Sequence, residues 1–89
     1  MREYIVDFTD VAGRDDLHAR LRDTLPLPEW YGNNLDALYD VLTEESEMIR
    51  ILFLHFEDAE AALGGYANAF RHMIMDVMAE NPKITAEFL

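Results

Sequence analysis

Ile49-Arg50-Ile51-Leu52-Phe53-Leu54-His55-Phe56 is the stretch from which the fold can be read. Alternation puts Ile49, Ile51, Phe53 and His55 on one face and Arg50, Leu52, Leu54 and Phe56 on the other. An interior apolar on both faces predicts a central parallel strand covered by helices. Toward the N-terminus, Arg2 to Phe8 alternates Tyr4, Val6 and Phe8 against Glu3 and Asp7, with Ile5 on the second face. That pattern predicts a strand partly covered on both sides. Toward the C-terminus, Ile84 to Leu89 reads as a last strand. The segments between carry a helical period. Asp15 or Asp16 is the expected cap of a helix whose buried stripe is Leu17, Leu21 and Leu25, ended by Pro26. Asp58 to Leu63 reads as a short alanine-rich helix stopped by Gly64-Gly65. A longer one runs from Tyr66 to about Glu80, burying Tyr66, Phe70, Met73, Ile74 and Val77 and leaving Met75 outside. Strands alternating with helices predict an α/β chain with a parallel sheet.

The segment before the central strand holds most of the special residues: Pro28-Glu29-Trp30-Tyr31-Gly32-Asn33-Asn34-Leu35-Asp36-Ala37-Leu38-Tyr39-Asp40. Pro26 and Pro28 stiffen a connection that delivers Trp30 and Tyr31 to a turn at Gly32-Asn33. Asn34 is a good N-cap for a helix from Leu35 to about Glu44. At ~100° per residue, Leu35, Leu38 and Leu42 share one side with Val41 at its edge, while Asp36, Asp40 and Thr43 fall roughly opposite. Tyr39 lies on the border. Tyr31 reads as cover for the core beneath the loop and Trp30 as a surface aromatic. By spacing alone, Asp36 and Asp40 are an ordinary solvated helix face.

Eighty-nine residues, 51% of them hydrophobic, predict one domain spanning 1–89, with no internal repeat. There is no cysteine, no leading segment of signal-peptide type and no apolar run near the ~20 residues of a membrane helix. A soluble cytoplasmic protein beginning at Met1 is expected. Eighteen acidic against seven basic residues give a formal charge of −11, and between Arg22 and Arg50 the chain has no Lys or Arg at all. Such a surface repels phosphates, so a nucleic-acid partner is not expected and a basic one is.

Catalysis finds little support. His18, His55 and His72 fall on separate elements, and neither the Asp36/Asp40 pair nor His72 with Asp76 is accompanied by a phosphate loop, a nucleophile elbow or a metal triad. Asp36, Asp40 and Glu44 on one helix face do not supply the six or more oxygens that calcium takes. No enzyme activity, no cofactor and no metal are expected.

PEWYGNNLDALYD resembles the barstar family of ribonuclease inhibitors, whose pattern runs proline, aromatic pair, glycine, any residue, asparagine, any residue, aspartate, alanine, leucine, any residue, aspartate. The likeness extends over nearly the full length, through Asp-Leu-His at 16–18, Leu-Pro before the aromatics and Ile-Thr in the last strand. It implies a two-layer barstar-like fold with a three-stranded parallel sheet, order 1-2-3, packed on one side by about four helices. It further implies an interface made of the second helix and the loop before it. Matched position by position, Asp40 takes the place of the aspartate that enters the ribonuclease's phosphate site. Gly32, Asn34, Asp36 and Thr43 match other interface positions, while Trp30 stands where the family has tyrosine and Tyr39 where it often has tryptophan. Asp76 and Glu80 match acidic positions farther out. Glu44 and Glu45 depart from the pattern, replacing a small residue and an aromatic, and point to a different cognate enzyme. The expected function is intracellular, immunity-type inhibition of a basic extracellular-type ribonuclease or toxin nuclease domain, by a protein monomeric when free. The alternative is a non-inhibitory module that binds a basic partner other than a ribonuclease.

Overall fold

In the computed structural model, which describes residues 1–89, Ile49–Leu54 is the middle strand of a three-stranded parallel sheet. The order of elements is β1 (Arg2–Asp7), α1 (Arg14–Thr24), α2 (Leu35–Thr43), β2 (Ile49–Leu54), α3 (Phe56–Leu63), α4 (Gly65–Glu80) and β3 (Ile84–Phe88). The sheet order is β1-β2-β3, with Val6 opposite Phe53 and Phe53 opposite Phe88. This is the two-layer α/β arrangement expected.

Burial along β2 alternates between buried and half-buried residues, because helices cover only one face of the sheet. Ile49, Ile51 and Phe53 point into the core, whereas Arg50, Leu52 and Leu54 remain half exposed. The expectation of helices over both faces is therefore corrected, and so is the partial cover of Ile5, which is 53% exposed. On the open face Arg50 reaches Glu87 of β3 at 3.0 Å and Glu3 of β1 at 3.5 Å, a cross-strand pairing that suits a solvated sheet surface.

β2 also ends sooner than the alternation suggests. His55 adopts a left-handed conformation (φ 56°), so the chain leaves the sheet there and α3 starts at Phe56 instead of Asp58. The turn brings Phe56 inside. All five phenylalanines of the chain, Phe8, Phe53, Phe56, Phe70 and Phe88, then meet in one cluster, with centroid separations of 4.7–6.4 Å. Mostly offset and edge-to-face contacts of this kind add to simple area burial. Leu17, Leu21 and Leu25 are buried as their spacing requires. Neither Asp15 nor Asp16 is the N-cap of α1; Gly13 occupies that position, and Asp16 reaches back to accept the Ala12 N–H at 2.8 Å. Its carboxyl also pairs with Arg20, and the two contacts hold it below the usual carboxylate range. No helix is long and apolar enough to cross a membrane.

Candidate protein-binding surface

The loop and α2 are built from local chemistry that the residues dictate. Asn33 supplies the left-handed turn (φ 54°), after which Asn34, extended at φ −140°, accepts the Ala37 N–H on its side-chain oxygen at 2.8 Å. This caps α2 in the ordinary way. The Asn34 amide in turn donates to the Gly32 carbonyl at 3.1 Å. A Cβ at position 32 would lie 3.1 Å from that amide nitrogen, so a side chain there would press on the cap. Gly32 thus serves the geometry of Asn34.

Leu38 and Leu42 are buried, Leu35 is half buried, and Asp36 and Asp40 are exposed on the far side. Tyr39 packs against the edge of the core as a half-buried residue. Thr43 is also half buried, and its hydroxyl donates to the carbonyls of Tyr39 (2.7 Å) and Asp40 (3.2 Å), which stiffens the last turn. Glu44 is the exposed C-cap residue. The adjacent aromatics separate as expected: Tyr31 is 5% exposed and Trp30 74%.

The ion pairs of the chain join Arg2 to Glu47, Arg20 to Asp16, Arg50 to Glu3 and Glu87, and His55 to Asp7. None involves Asp36, Asp40 or Glu44. The last turn of α2 holds no basic residue, so Asp40 and Glu44 sit unneutralised at the negative end of the helix dipole. That arrangement is unfavourable for the free chain and concentrates negative potential at one end of the helix. α4 packs beside α2, and Asp76 and Glu80 are exposed on it. No hydrogen bond or ion pair links them to Asp36 or Asp40.

Two buried polar clusters escape the sequence reading. In the first, the His18 imidazole of α1 lies between two tyrosine hydroxyls, with Nδ1 2.5 Å from Tyr31 and Nε2 2.7 Å from Tyr66 of α4. A neutral imidazole donates on one nitrogen and accepts on the other, so both contacts are satisfied without charge. Burial pushes the His18 pKa down and those of both tyrosines up. Tyr66 also lies under the Arg14 guanidinium, 4.3 Å from its ring centroid. The cluster fixes the end of the Pro28–Tyr31 turn. It also sets a pH dependence. His18 binds its proton more weakly folded than unfolded, so its contribution to stability is complete above about 6.5 and is lost as pH falls from there through the lowered folded value. Between pH 7.5 and 5 the melting temperature of the wild-type chain is expected to fall relative to that of His18→Gln, a difference that isolates His18 from His55, whose raised pKa acts in the opposite sense as pH falls.

In the second cluster, the Asn81 side chain at the end of α4 donates to the carbonyls of Leu42 (3.0 Å) and Glu45 (3.0 Å), with Thr43 at 3.4 Å.

His55, Asp7 and Thr9 also meet at the ends of β1 and β2. Thr9 Oγ1 and Asp7 Oδ1 lie 2.9 and 3.1 Å from the same His55 nitrogen, Nδ1, and Thr9 Oγ1 donates to Asp7 Oδ1 at 2.6 Å. A proton relay needs the nucleophile and the orienting carboxylate on opposite ring nitrogens, so this trio is a structural brace. The Thr9 bonds, with His55, hold the Asp7 pKa down at about 2, and Asp7 raises that of His55. His72 is exposed on α4. No group of three or more histidine, aspartate or glutamate side chains converges as a metal set. Two shallow depressions, around Met1 with Met48 and around Asp10 with Asp58, lie away from Asp36 and Asp40.

A three-stranded parallel sheet of order 1-2-3, covered on one face by four helices, defines a two-layer α/β protein of barstar-like architecture. The family model described as Barstar (barnase inhibitor) matches residues 1–87. The "Putative ribonuclease inhibitor YrdF" of Bacillus subtilis (strain 168) is 36% identical over 81 residues, covering 90% of this chain and 89% of that protein. The chain belongs to the barstar family. That membership points to an inhibitor and not an enzyme.

Proposed function

We propose that the chain inhibits a basic ribonuclease, of extracellular type or as the nuclease domain of a toxin, by placing α2 in its active site. A ribonuclease holds an anionic scissile phosphate with arginine, lysine and histidine, so its cleft is a site of strong positive potential. Asp36 and Asp40, one helical turn apart, put carboxylate oxygens where phosphate oxygens would bind and accept charge-assisted hydrogen bonds from arginine. The observation that carries this reading is the exposed, unpaired Asp36/Asp40 face on a capped helix, in a chain of the barstar family. Trp30, Gly32, Asn34, Tyr39, Thr43 and Glu44 complete the contact surface, with Asp76 and Glu80 as outlying charges. One close ion pair at an effective dielectric near 20 is worth about 4 kcal/mol before desolvation, so tight binding requires a rigid helix and a preorganised cleft.

The proposed setting is the cytoplasm of the cell that makes the ribonuclease, with the free inhibitor kept monomeric by its like charge. The Trp30 and Tyr39 exchanges, with Glu44 and Glu45, tune the surface to an enzyme other than barnase. Affinity capture from the source organism, followed by an RNA-cleavage assay, tests the reading. A captured nuclease silenced by an equimolar amount of the chain is the expected result; capture of a basic protein with no nuclease activity would establish the non-inhibitory alternative. Charge should also steer the encounter, an effect for which barnase with barstar is the reference case. The association rate is therefore expected to fall steeply as salt rises from 0.05 to about 0.5 M. Stopped-flow mixing measures it, and a flat salt profile would remove steering from the account.

A further inference from the structure

We infer that Asn81 is a positioning residue for the acidic helix: its buried amide locks the last turn of α2 to the junction of α4 and β3, and does so without a positive charge. The inference rests on the inhibitory reading of α2. Asn81 is 7% exposed, and of the two polar residues buried in the chain it is the one hydrogen-bonded to α2. Helix ends leave their final carbonyls without intrahelical partners. Here the Asn81 Nδ2 hydrogens meet the carbonyls of Leu42, Glu45 and, more distantly, Thr43, while Oδ1 accepts the Lys83 N–H at 3.1 Å. The amide is therefore satisfied on both sides and held by its own loop. The backbone closes the same turn, since the Asn81 N–H bonds to Val77 and the Ile84 N–H bonds to the Asn81 carbonyl at 3.0 Å.

Charge distinguishes this device from an ordinary helix terminus. The common ways to finish a helix are a left-handed glycine or a nearby lysine, arginine or histidine. α2 has neither: Glu44 is its C-cap in right-handed helical conformation, and no basic residue lies in its last turn. A cationic cap would stabilise those carbonyls and partly neutralise Asp40 and Glu44. A neutral amide supplies hydrogen bonds and leaves their field intact. The nearest cation in the same loop, Lys83, donates instead to the Ser46 carbonyl at 2.9 Å, beyond the end of α2. Preorganisation of this kind improves affinity by removing an ordering cost at binding.

The test compares Asn81→Ala with Val6→Ala, a fully buried substitution that destabilises the fold from β1, a strand with no hydrogen bond to α2. With the captured ribonuclease, Asn81→Ala is expected to weaken inhibition by about tenfold or more, chiefly through faster dissociation. Val6→Ala, at a temperature where both variants are folded, is expected to stay within about twofold of wild type. In the free chain, amide exchange is expected to accelerate selectively across residues 40–45 in Asn81→Ala and not in Val6→Ala. An Asn81→Ala inhibition constant equal to that of wild type would overturn the inference, as would equal losses in the two variants. Should Asn81→Ala fail to fold, exchange in the wild-type chain decides: amides 42–45 exchanging as fast as Glu29 and Trp30 would rule out a lock. A wild-type chain that inhibits no ribonuclease is a failure of the underlying function, seen before any variant is made.

Discussion

Asp40→Ala is expected to raise the inhibition constant by about two to four orders of magnitude while shifting the melting temperature of the free chain by no more than about 4 °C. The first half follows from the proposed complex. Truncating one member of a buried ion pair leaves the opposing guanidinium desolvated and unpaired, which costs about 3–5 kcal/mol. The second half follows from the free chain. The Asp40 carboxylate is exposed and makes no ion pair or side-chain hydrogen bond, while its carbonyl accepts from the Glu44 N–H and the Thr43 hydroxyl. Alanine preserves both bonds. Asp36→Ala, at the first turn of the same face, is expected to follow the pattern with a smaller loss. Inhibition titrations beside thermal melts separate the two quantities. An Asp40→Ala protein that inhibits at full strength would mean that a different surface meets the enzyme.

Phe70→Ala is expected to produce the opposite profile, a large loss of stability from a residue of the buried core and not of the exposed acidic face. Phe70 is fully buried in α4, and its ring lies within 5.3–6.4 Å of those of Phe8, Phe53, Phe56 and Phe88. Deleting it removes buried area and leaves a cavity bounded by stiff rings, at a cost of about 3–5 kcal/mol. For a chain of this length that corresponds to a melting temperature lower by roughly 12–40 °C. Total stabilities of small domains are about 5–15 kcal/mol, so the loss takes from about a fifth to the whole of it. Urea titration checks it; a loss below about 1 kcal/mol would mean that the aromatic cluster is not the mechanical centre of the core.

Much of the fold was legible because burial imposes period on sequence. The leucines of α1, the Leu38/Leu42 side of α2 and the Ile49/Ile51/Phe53 face of β2 follow from alternation or helical spacing, and the structure buries them. The errors came where a residue's conformation departs from its type. His55 continues the alternation of β2 in sequence, yet its left-handed backbone takes it out of the strand and lets Phe56 turn into the core. Ile5, Leu52 and Leu54 read as a covered second face, because apolar content alone does not say whether a helix lies above. Asp16 has the composition of an N-cap but stands inside the helix, reaching back.

The candidate surface was readable in a different way. Asn34 as a cap and the opposed fates of Trp30 and Tyr31 follow from local chemistry, whereas the role proposed for Asp36 and Asp40 rests on the family motif and not on their spacing. The supports beneath that surface were invisible. His18, Tyr31 and Tyr66 come from three separate segments, and Asn81 stands nearly forty residues from the carbonyls it holds. No local period encodes such contacts. An asparagine before proline reads as a helix stop, and it is one, but the burial of its side chain against α2 is a property of the packed structure.

Competition with a nucleotide tests the phosphate-mimicry claim most directly. A 3′-mononucleotide bound in the captured ribonuclease occupies the phosphate site that Asp40 is proposed to enter. The apparent dissociation constant of the ribonuclease for this chain is then expected to rise in proportion to nucleotide concentration once that exceeds the nucleotide's own dissociation constant. A dissociation constant unchanged at saturating nucleotide would place the chain outside the phosphate site and contradict the account.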